Sequence, residues 1–446
     1  MISVRCFESL PEAACLRDDV NALNRRCAPP DPFSTFEFFE NYLGQDEALQ
    51  AGGGLRVWFV TVFRADTLIG YVALKLVSRK TWLRRVATLS FLVTHDNDRP
   101  HLVACPENLR DASVAVYGYL LARQREWGFL EFHQQDSTSS LFPPPDAVDL
   151  SGYRVSEWPG LPNCTVHLRW SSLPEYMRAM EARFRSNLER QVRHLLAAGE
   201  LELLSSSDTA ATPALLELYR SIEPRSWKSR TDVGIGQEPR RIAYFEGLLG
   251  THQPMRLSIQ ILLLDGVPIA GLINGSFANG LYALQMVYDE AFGRMSPGSA
   301  MLLLGMRQAI DGGYAFFNLL SGFGYYKARW LAQATDTRIA QIYRVGSLWY
   351  WHRKIGDWKR AALPALAKPT RALFNPLRRS ASRRKLAQAE PGRPTVIAMQ
   401  PAQRQRLAAL IASVRQSPGE GLSAQALASV LQIANTASRA RSAHAL

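Results

Sequence analysis

Two hairpin-like stretches, RVWFVTVFR-ADT-LIGYVALKLV at residues 56–77 and RLSIQILLL-DGVP-IAGLINGSF at residues 256–277, decide the fold of this 446-residue chain. Each stretch joins two runs rich in β-branched and aromatic residues through a short turn that contains Asp. Such runs, bounded by Asp or Gly turns, are typical of β-hairpins. Ile69-Gly70 in the first stretch corresponds to Ile269-Ala270 in the second, with an offset of 200 residues, so the two hairpins share a register.

The similarity continues beyond the hairpins as an internal repeat. In each half a third strand-like run precedes a helical pattern, a glycine and a further strand: residues 86–93, 111–126 and 128–132, then residues 281–288, 297–311 and 313–317. Glycine just after a helix fits a C-terminal cap. A β-turn-β-β-α-β unit that occurs twice predicts an α/β (α+β) fold with two tandem domains. The alternative is a chance recurrence of common elements.

Helical patterns surround the second unit. Residues 175–199 place six apolar side chains three or four positions apart, which predicts one amphipathic helix: Tyr176, Met180, Phe184, Leu188, Val192 and Leu195. Two more helices are expected near residues 213–221 and 240–249. After Arg344 the strand signals stop, prolines interrupt the tail, and residues 403–414 are expected to form one further helix.

Composition narrows the class of protein. With 47% hydrophobic and 20% charged residues, the chain can bury a sizeable core, which excludes global disorder. No apolar run has the length of roughly 18–20 residues that crosses a bilayer, and no secretory signal is visible at the start. The five cysteines are scattered without a C-x-x-C pair, so a disulfide scaffold and a zinc finger lose support. A cytoplasmic location is the expectation.

The net charge of +13 is concentrated in one segment. Twelve Lys or Arg residues against one acid, Asp357, lie between Arg344 and Lys385, whereas forty basic and thirty-eight acidic residues make up the rest. The body is therefore nearly neutral, which argues against a polyanion groove that runs across it.

Several catalytic motifs are absent from the sequence. There is no G-x-x-x-x-G-K-[ST] phosphate loop, no G-x-S-x-G elbow and no dinucleotide fingerprint, and the eight histidines form no metal motif. Hydrolase triads, nucleotide kinases and zinc enzymes lose support, and no metal cofactor is expected.

One turn before a helix has the chemistry of an anion site. Ser296-Pro297-Gly298-Ser299 leads into the second predicted crossover helix, with Pro297 suited to its first turn and Gly298 permitting close approach. A helix N-terminus offers unpaired N–H groups and the positive end of the helix dipole to phosphate. Ser296, Gly298 and Ser299 are the candidate ligands; the alternative is an ordinary strand-to-helix loop.

Candidate catalytic groups flank this turn. Asp289 or Glu290, at the end of the preceding strand, would accept an amine proton directly or through water. Lys327, which follows Tyr325 and Tyr326 in an apolar stretch, would stabilise developing negative charge or hold a phosphate. Asp289, Lys327 and Tyr326 are therefore the catalytic candidates. Solvated turn acids and a structural ion pair for the lysine are the alternatives.

Arginines line one side of the insertion helix. Arg183, Arg190 and Arg193 recur along it, and Glu189 precedes Arg193 by four residues. Arg183 and Arg190 are candidate ligands for the phosphates of a donor, while a solvated face with surface ion pairs is the alternative.

Taken in order, these pieces resemble the CelD-type branch of the GNAT acyltransferases, with a BioF-like acetyltransferase domain, which is related to the Fem peptidyltransferases. The matching pattern is the Arg-rich helix, Asp265-Gly266 with Pro268-Ile269-Ala270, Tyr288-Asp289, Ser296-Pro297-Gly298, and then Gly322 with Tyr326-Lys327, within residues 31–344. The resemblance implies two tandem GNAT-like folds, each a mixed, mostly antiparallel sheet flanked by helices. The sequence after residue 345 adds a basic helical tail that is interrupted by prolines. The resemblance also implies an N-acyltransferase that uses acyl-CoA, with acetyl-CoA the expected donor, and acts in cell-envelope or exopolysaccharide biosynthesis.

The resemblance assigns roles to segments of the chain. Residues 1–170 would form a non-catalytic domain, since the first repeat enters its helix through Glu107-Asn108-Leu109-Arg110 and lacks a Ser-Pro-Gly counterpart. Residues 171–345 would form the acyltransferase domain and residues 346–446 the tail. The acceptor would be a small-molecule or sugar-linked amine that attacks directly, because no cysteine lies near the motifs in sequence. The alternatives are a Fem-like transferase that uses aminoacyl-tRNA and a non-catalytic adaptor at the membrane.

The basic tail begins with an amphipathic pattern. Leu348, Trp351, Ile355, Trp358 and Ala362 recur at helical spacing, with Lys and Arg away from them. Such a segment is what an interfacial membrane helix needs, so residues 346–385 are expected to bind an anionic inner-membrane surface. Docking on the body and nucleic-acid binding through the same charges are the alternatives.

Overall fold

The computed structural model describes residues 1–27, 30–44, 56–81, 84–93, 99–136, 141–206, 212–231, 234–250, 252–322, 325–366 and 401–416. Fifteen strands lie in these ranges: β1 Ile2–Phe7, β2 Arg56–Arg64, β3 Thr67–Lys80, β4 Arg85–Phe91, β5 Val103–Ala104, β6 Phe129–Gln135, β7 Tyr153–Pro159, β8 Asn163–His167, β9 Leu201–Ser206, β10 Arg256–Leu264, β11 Val267–Phe277, β12 Gly280–Tyr288, β13 Phe316–Ser321, β14 Gln333–Thr335 and β15 Arg338–Arg344. The α-helices there are α1 Leu10–Ala13, α2 Arg17–Arg26, α3 Phe36–Gly44, α4 Pro106–Ala122, α5 Leu173–Ala179, α6 Ala182–Leu196, α7 Thr212–Ile222, α8 Pro239–Gly247, α9 Pro297–Asp311, α10 Tyr325–Arg329, α11 Leu348–Leu366 and α12 Pro401–Gln416.

The strands form two sheets with the same plan. The first sheet has the order β1-β2-β3-β4-β6-β15-β7, with β5 beside β3, and the second has the order β9-β10-β11-β12-β13-β8-β14. In both, four antiparallel strands are followed by one parallel step, β4 to β6 through α4 and β12 to β13 through α9. The predicted tandem α/β fold with mixed, mostly antiparallel sheets is confirmed.

The two sheets exchange strands near their far edges. β15, late in the chain, lies between β6 and β7 of the first sheet, and β8, from the middle, lies between β13 and β14 of the second. The two crossing connections touch, because the Gly160 N–H donates to the Thr337 carbonyl at 2.8 Å and the Thr337 hydroxyl donates to the Leu161 carbonyl at 2.9 Å. A Cβ at Gly160 would lie 2.4 Å from Thr337 Oγ1, so the crossing requires glycine. The boundaries at residues 170 and 345 stay predictions.

One apolar core joins the two halves. Phe36, Phe59 and Tyr71 of the first half pack in the same buried cluster as Tyr219 and Ile259 of the second. Two further clusters cover the outer sheet faces, one between the first sheet and α4 and one between the second sheet and the helices α6 and α9. Shared burial on this scale fixes the two sheets relative to each other.

The helices near residues 213–221, 240–249 and 403–414 are confirmed as α7, α8 and α12. The prediction of a single insertion helix over residues 175–199 is wrong. Met180 has an extended backbone (φ −69°, ψ 156°) and separates α5 from α6. Met180 is buried beside Tyr176 and Phe184, so the break lets both helices pack on one core. In the first half the crossover helix begins at Pro106, where proline suits the first turn, and not at residue 111.

The tail contributes two helices, α11 and α12, to the described part of the chain. The basic residues after position 366 that are predicted to bind a membrane lie outside the described residues. Within the described ranges no helix has the length and apolar character needed to cross a bilayer.

Candidate active site

The parallel strands β12 and β13 separate soon after they begin. Their ladder is confined to Gly280–Tyr282 and Phe316–Asn318, and the register of β12 against β11 shifts so that Leu284 is an extra residue. A bulge of this kind bends the strand that carries it. The second half of β12 therefore leaves β13, and a gap opens between the C-terminal halves of two neighbouring strands.

Side chains of β12 point to opposite sides of this gap. After the bulge, Met286 and Tyr288 pack on the side of α6 and α9, while Val287 belongs to the shared core on the side of α7. Gln285, two residues before Val287, reaches the same side as Val287. A ligand on the α9 side and a ligand on the α7 side can thus approach the gap from opposite faces of the sheet.

The start of α9 borders the gap. Ser296 has the left-handed conformation (φ 51°, ψ 53°), and its carbonyl accepts the Ser299 N–H at 2.9 Å. A Cβ at Gly298 would lie 3.1 Å from Tyr288 Cδ1, so the helix start rests directly on the end of β12. Left-handed backbone at a residue with a side chain costs energy and is concentrated at functional sites. The predicted ligands Ser296, Gly298 and Ser299 lie together where a helix dipole favours an anion.

Asp289 immediately follows β12, and both of its carboxylate oxygens accept hydrogen bonds. Its Oδ1 accepts the Ala291 N–H at 2.9 Å, and its Oδ2 accepts Arg225 Nε–H at 2.6 Å. Arg225 also donates to the carbonyls of Ser221 (3.1 Å) and Pro268 (2.9 Å). The buried carboxylate therefore fixes the turn that leads to Ser296.

Glu290 is paired in a more exposed place. Arg230 donates to both of its carboxylate oxygens at 2.8 Å, and these hydrogen bonds lower the pKa of Glu290 from its usual value. Both acids suggested by the sequence thus have an arginine partner.

Lys327 caps the end of β13. Its ammonium donates to the carbonyls of Leu319, Leu320 and Ser321 at 2.7, 3.2 and 3.0 Å. These carbonyls converge because Leu320, in the middle of the three, has a positive φ angle of 57°. Since β12 and β13 are parallel, Lys327 and Asp289 lie at the same edge of the sheet, on either side of the gap. Tyr326 belongs to α10, and its side chain lies outside the described residues.

Cys164 lies beside this turn, although it is far from the motifs in sequence. Its Sγ is 3.9 Å from the Gly322 carbonyl oxygen, and the residue is 0% exposed. Strand exchange brings it there, since β8 pairs with β13. Complete burial keeps this thiol from a substrate.

The two predicted arginine ligands lie on the outer face of α6. Arg183 and Arg190 are exposed, and Arg190 Nη2 donates to Asn187 Oδ1 at 2.7 Å. The inner face of α6 packs on the core, and the helix contacts the turn at Glu290–Met295 that precedes Ser296. Both arginines therefore belong to the α9 side of the gap.

Sequence reasoning missed the residues on the opposite side. Two 3₁₀ turns, Glu223–Arg225 and Trp227–Arg230, place Lys228 in the core at 3% exposure, where its ammonium donates to Tyr219 Oη at 3.1 Å and to Gln285 Oε1. Trp227, next to it, is 39% exposed. The only local signal is the composition of EPRSWKSR at residues 223–230, three basic residues and a tryptophan between two helical patterns.

Among the described residues no group of three or more His, Cys, Asp or Glu side chains could hold a metal ion.

Comparisons with known proteins point to the same part of the chain. Residues 182–328 match the model of the Acetyltransferase (GNAT) domain family. The matched range includes α6, the two 3₁₀ turns, the strands on both sides of the gap, and Lys327. No curated protein sequence matches the chain significantly.

Several solved structures resemble the chain at low identity. FemX shares 11% identity, with 76% of this chain and 96% of that chain covered and a TM-score of 0.48. L-PGS from Bacillus licheniformis shares 13%, covering 74% and 91%, with a TM-score of 0.44. A tandem GNAT protein from the clavulanic acid biosynthesis pathway shares 12%, covering 78% and 99%, with a TM-score of 0.42. The family match assigns a GNAT acetyltransferase domain to residues 182–328 of this chain.

Proposed function

We propose that the protein is an N-acyltransferase that moves an acyl group from acyl-CoA, with acetyl-CoA the first choice, to an amine. The observation that carries the proposal is the gap between β12 and β13, which opens beside the N-terminus of α9 within the matched GNAT domain. A helix start with a left-handed Ser296 and a small residue at Gly298 suits the pyrophosphate of coenzyme A. Arg183 and Arg190, on the same side, would add positive charge for the donor phosphates.

The gap also suits the acyl-transfer step. Among the described residues the ladder between β12 and β13 ends at Tyr282, and a backbone N–H of β12 near that point would donate to the thioester carbonyl oxygen. The amine would enter from the α7 side, past Trp227 and Gln285, and attack the carbonyl carbon. The C–N bond forms as the C–S bond breaks, and the coenzyme A thiolate takes up the proton that the amine loses.

The three catalytic candidates keep roles in this proposal. Lys327 contributes positive charge at the mouth of the gap, where negative charge develops on the carbonyl oxygen. Asp289 would receive the amine proton through water while Arg225 holds its carboxylate in place, and would pass this proton on to the departing coenzyme A thiolate. Tyr326 is proposed from its position beside Lys327.

The cellular role is proposed from the resemblance to the CelD-type branch. The acceptor would be a small-molecule or sugar-linked amine of cell-envelope or exopolysaccharide biosynthesis, on the cytoplasmic side of the inner membrane. The first half of the chain would shape the acceptor side, since residues of both halves share one core.

A pair of glycine variants tests the donor site. In Gly298→Ala the added Cβ meets the Tyr288 ring at 3.1 Å, so the helix start must shift relative to the end of β12 and acetyl-CoA affinity should fall roughly tenfold. Gly293→Ala is the matched control in the same turn, because a Cβ there meets nothing within 4 Å. Calorimetric titration with acetyl-CoA measures both, and equal affinities would contradict the proposed site.

Donor choice separates the proposal from its rivals. Members of an acyl-CoA panel should raise the melting temperature of the full chain, and at equal concentration the tighter ligands should raise it more. Stabilisation by aminoacyl-tRNA alone would indicate a Fem-like transferase. Stabilisation by neither donor, with an intact biological role in the Asp289→Ala and Lys327→Ala variants, would indicate an adaptor.

A further inference from the structure

The helix α11 is attached to the body by one face. The Trp349 ring stacks on Phe129 with centroids 3.8 Å apart and planes 9° from parallel, and Trp349 Nε1–H donates to Gln341 Oε1 at 3.2 Å. One turn later the Arg353 guanidinium lies 5.2 Å from the centroid of the Trp158 ring. These contacts with β6, β15 and β7 fix how the helix is rotated about its axis.

The opposite face of α11 carries two uncovered tryptophans. Trp351 is 51% exposed and Trp358 is 69% exposed. Lys354 lies between them and is also exposed. Spacings of three and seven residues place all three side chains on one side of a helix. Trp351 contacts the Tyr350 ring and the Lys354 ammonium of its own helix, and the rest of its surface and most of Trp358 face away from the body.

The stretch of sequence that contains α11 is strongly positive. From Arg344 to Lys385 the chain has twelve basic residues and one acid, Asp357, while the rest is nearly balanced. Basic residues near an anionic lipid surface each add attraction, and the effect weakens with salt.

We propose that the outward face of α11, formed by Trp351, Lys354 and Trp358, docks on an anionic lipid bilayer. Indole rings settle at the headgroup level because one end is apolar and the N–H remains hydrated. An anchored helix with its indoles outward, in a positively charged stretch of sequence, combines the apolar and the electrostatic requirements of interfacial binding. This surface does not depend on the acyltransfer proposal, since no residue of the gap belongs to it.

Point variants test the surface better than truncation does. A cut after Arg344 would remove Trp349 from its stack on Phe129 and would also remove core residues of α12. The double variant Trp351→Ser/Trp358→Ser changes only exposed side chains and leaves the anchoring face in place. Trp227→Ser is the matched control, because it removes a 39% exposed tryptophan from a different surface.

Co-sedimentation of the full chain with vesicles provides the measurement. The unchanged chain should bind vesicles of equal parts phosphatidylglycerol and phosphatidylcholine, bind pure phosphatidylcholine weakly, and lose affinity with added salt. The double variant should lose about tenfold or more in partition coefficient, Lys354→Glu about tenfold, and the control nothing. Equal binding by the double variant and the unchanged chain would overturn the proposal. So would an absence of vesicle binding in a chain that retains duplex DNA or RNA through the same tryptophans.

Discussion

At the scale of single residues, the buried Arg225–Asp289 pair holds the candidate site in place. Its two side chains are only 14% and 7% exposed, and Arg225 Nε lies 2.6 Å from Asp289 Oδ2. Breaking a buried pair leaves an uncompensated charge and is strongly destabilising. We expect Asp289→Ala to lower the free energy of unfolding by about 3 kcal/mol in urea denaturation.

The neighbouring pair supplies the control. Glu290 and Arg230 are 39% and 65% exposed, so Glu290→Ala should cost less than about 1 kcal/mol. Equal losses for the two variants would show that Asp289 does not fix the turn before Ser296. Asp289→Asn keeps an acceptor for the Ala291 N–H, so a fall in kcat at unchanged acetyl-CoA KM in this variant would reveal a separate role in proton transfer.

Glu131 of the first sheet should make stability depend on acid pH. Burial alone would raise its pKa, but hydrogen bonds from His133, Arg79 and Gln341 outweigh burial and hold the pKa at about 2, below the ordinary 4.5. A carboxyl with a depressed pKa stabilises the fold fully above its unfolded pKa. This stabilisation, about 3 kcal/mol, is lost as the pH falls from 4.5 towards 2.

Urea midpoints measured down this pH range check the prediction. Glu131→Gln removes the titrating group, so the curve of stability against pH should become flatter between 4.5 and 2. An unchanged slope would contradict the assignment. Because Gln341 also accepts the Trp349 N–H, the same acid range should loosen α11.

At the residue scale, the sequence could locate a helix start, because its signals are local, while the binding role of Ser296 and Gly298 stays a prediction. Ser296 and Gly298 were recognisable because a turn of small residues directly before a helical pattern has one physical use. Arg225 and Lys228 were not, since their partners Asp289 and Gln285 lie about sixty residues away and meet them only after the sheet forms. The buried position of Cys164 beside Gly322 was hidden for the same reason.

At the scale of elements, α12 is a part of the core and not an appendage. Leu407, Ile411 and Val414 are 8%, 6% and 6% exposed and belong to the cluster shared by the two halves. Arg406 of α12 pairs with Glu217 of α7 at 2.7 Å. Ile411→Ala should therefore lower the free energy of unfolding by about 2–4 kcal/mol, as measured by chemical denaturation.

The same helix offers an exposed position for comparison. Gln405→Ala should change stability by less than about 0.5 kcal/mol, because this side chain is exposed and alanine favours helix. If Ile411→Ala is equally harmless, α12 does not pack on α7 in solution.

Elements with a strong period were predicted correctly, and the exceptions have physical causes. The hairpins and crossover helices follow from alternation and from three-to-four spacing. The apolar spacing continues unbroken through Met180, so it could not reveal a break that serves the packing of α5 against α6. The spacing in the tail likewise identified α11 but not its anchor, because Trp349 lies outside the apolar stripe and binds through Phe129.

At the scale of the whole molecule, the two repeats are not separable units. The repeat in sequence predicts two sheets, but a strand's partners depend on topology, and nothing local marks β15 as a strand of the first sheet. A fragment of residues 171–345 would lack β8, which pairs with both β13 and β14. A fragment of residues 1–160 would lack β15, which pairs with both β6 and β7.

The exchange leads to a prediction about split chains. Fragments 1–160 and 161–446 together retain every strand, and β15 of the second fragment should insert between β6 and β7 of the first. We expect each fragment to aggregate when expressed alone, because it exposes unpaired strand edges and half of the shared core. Co-expressed with a tag on one fragment, the two should purify as a complex with one cooperative thermal transition.

Ala340→Pro, in the middle of β15, removes a ladder hydrogen bond from a central strand and should abolish the complex. The matched control Ile2→Pro places proline at the first residue of the edge strand β1 and should leave the complex intact. The exchange would be contradicted if fragment 161–446 were stable alone and did not bind fragment 1–160, since β15 would then need no partner from the first sheet.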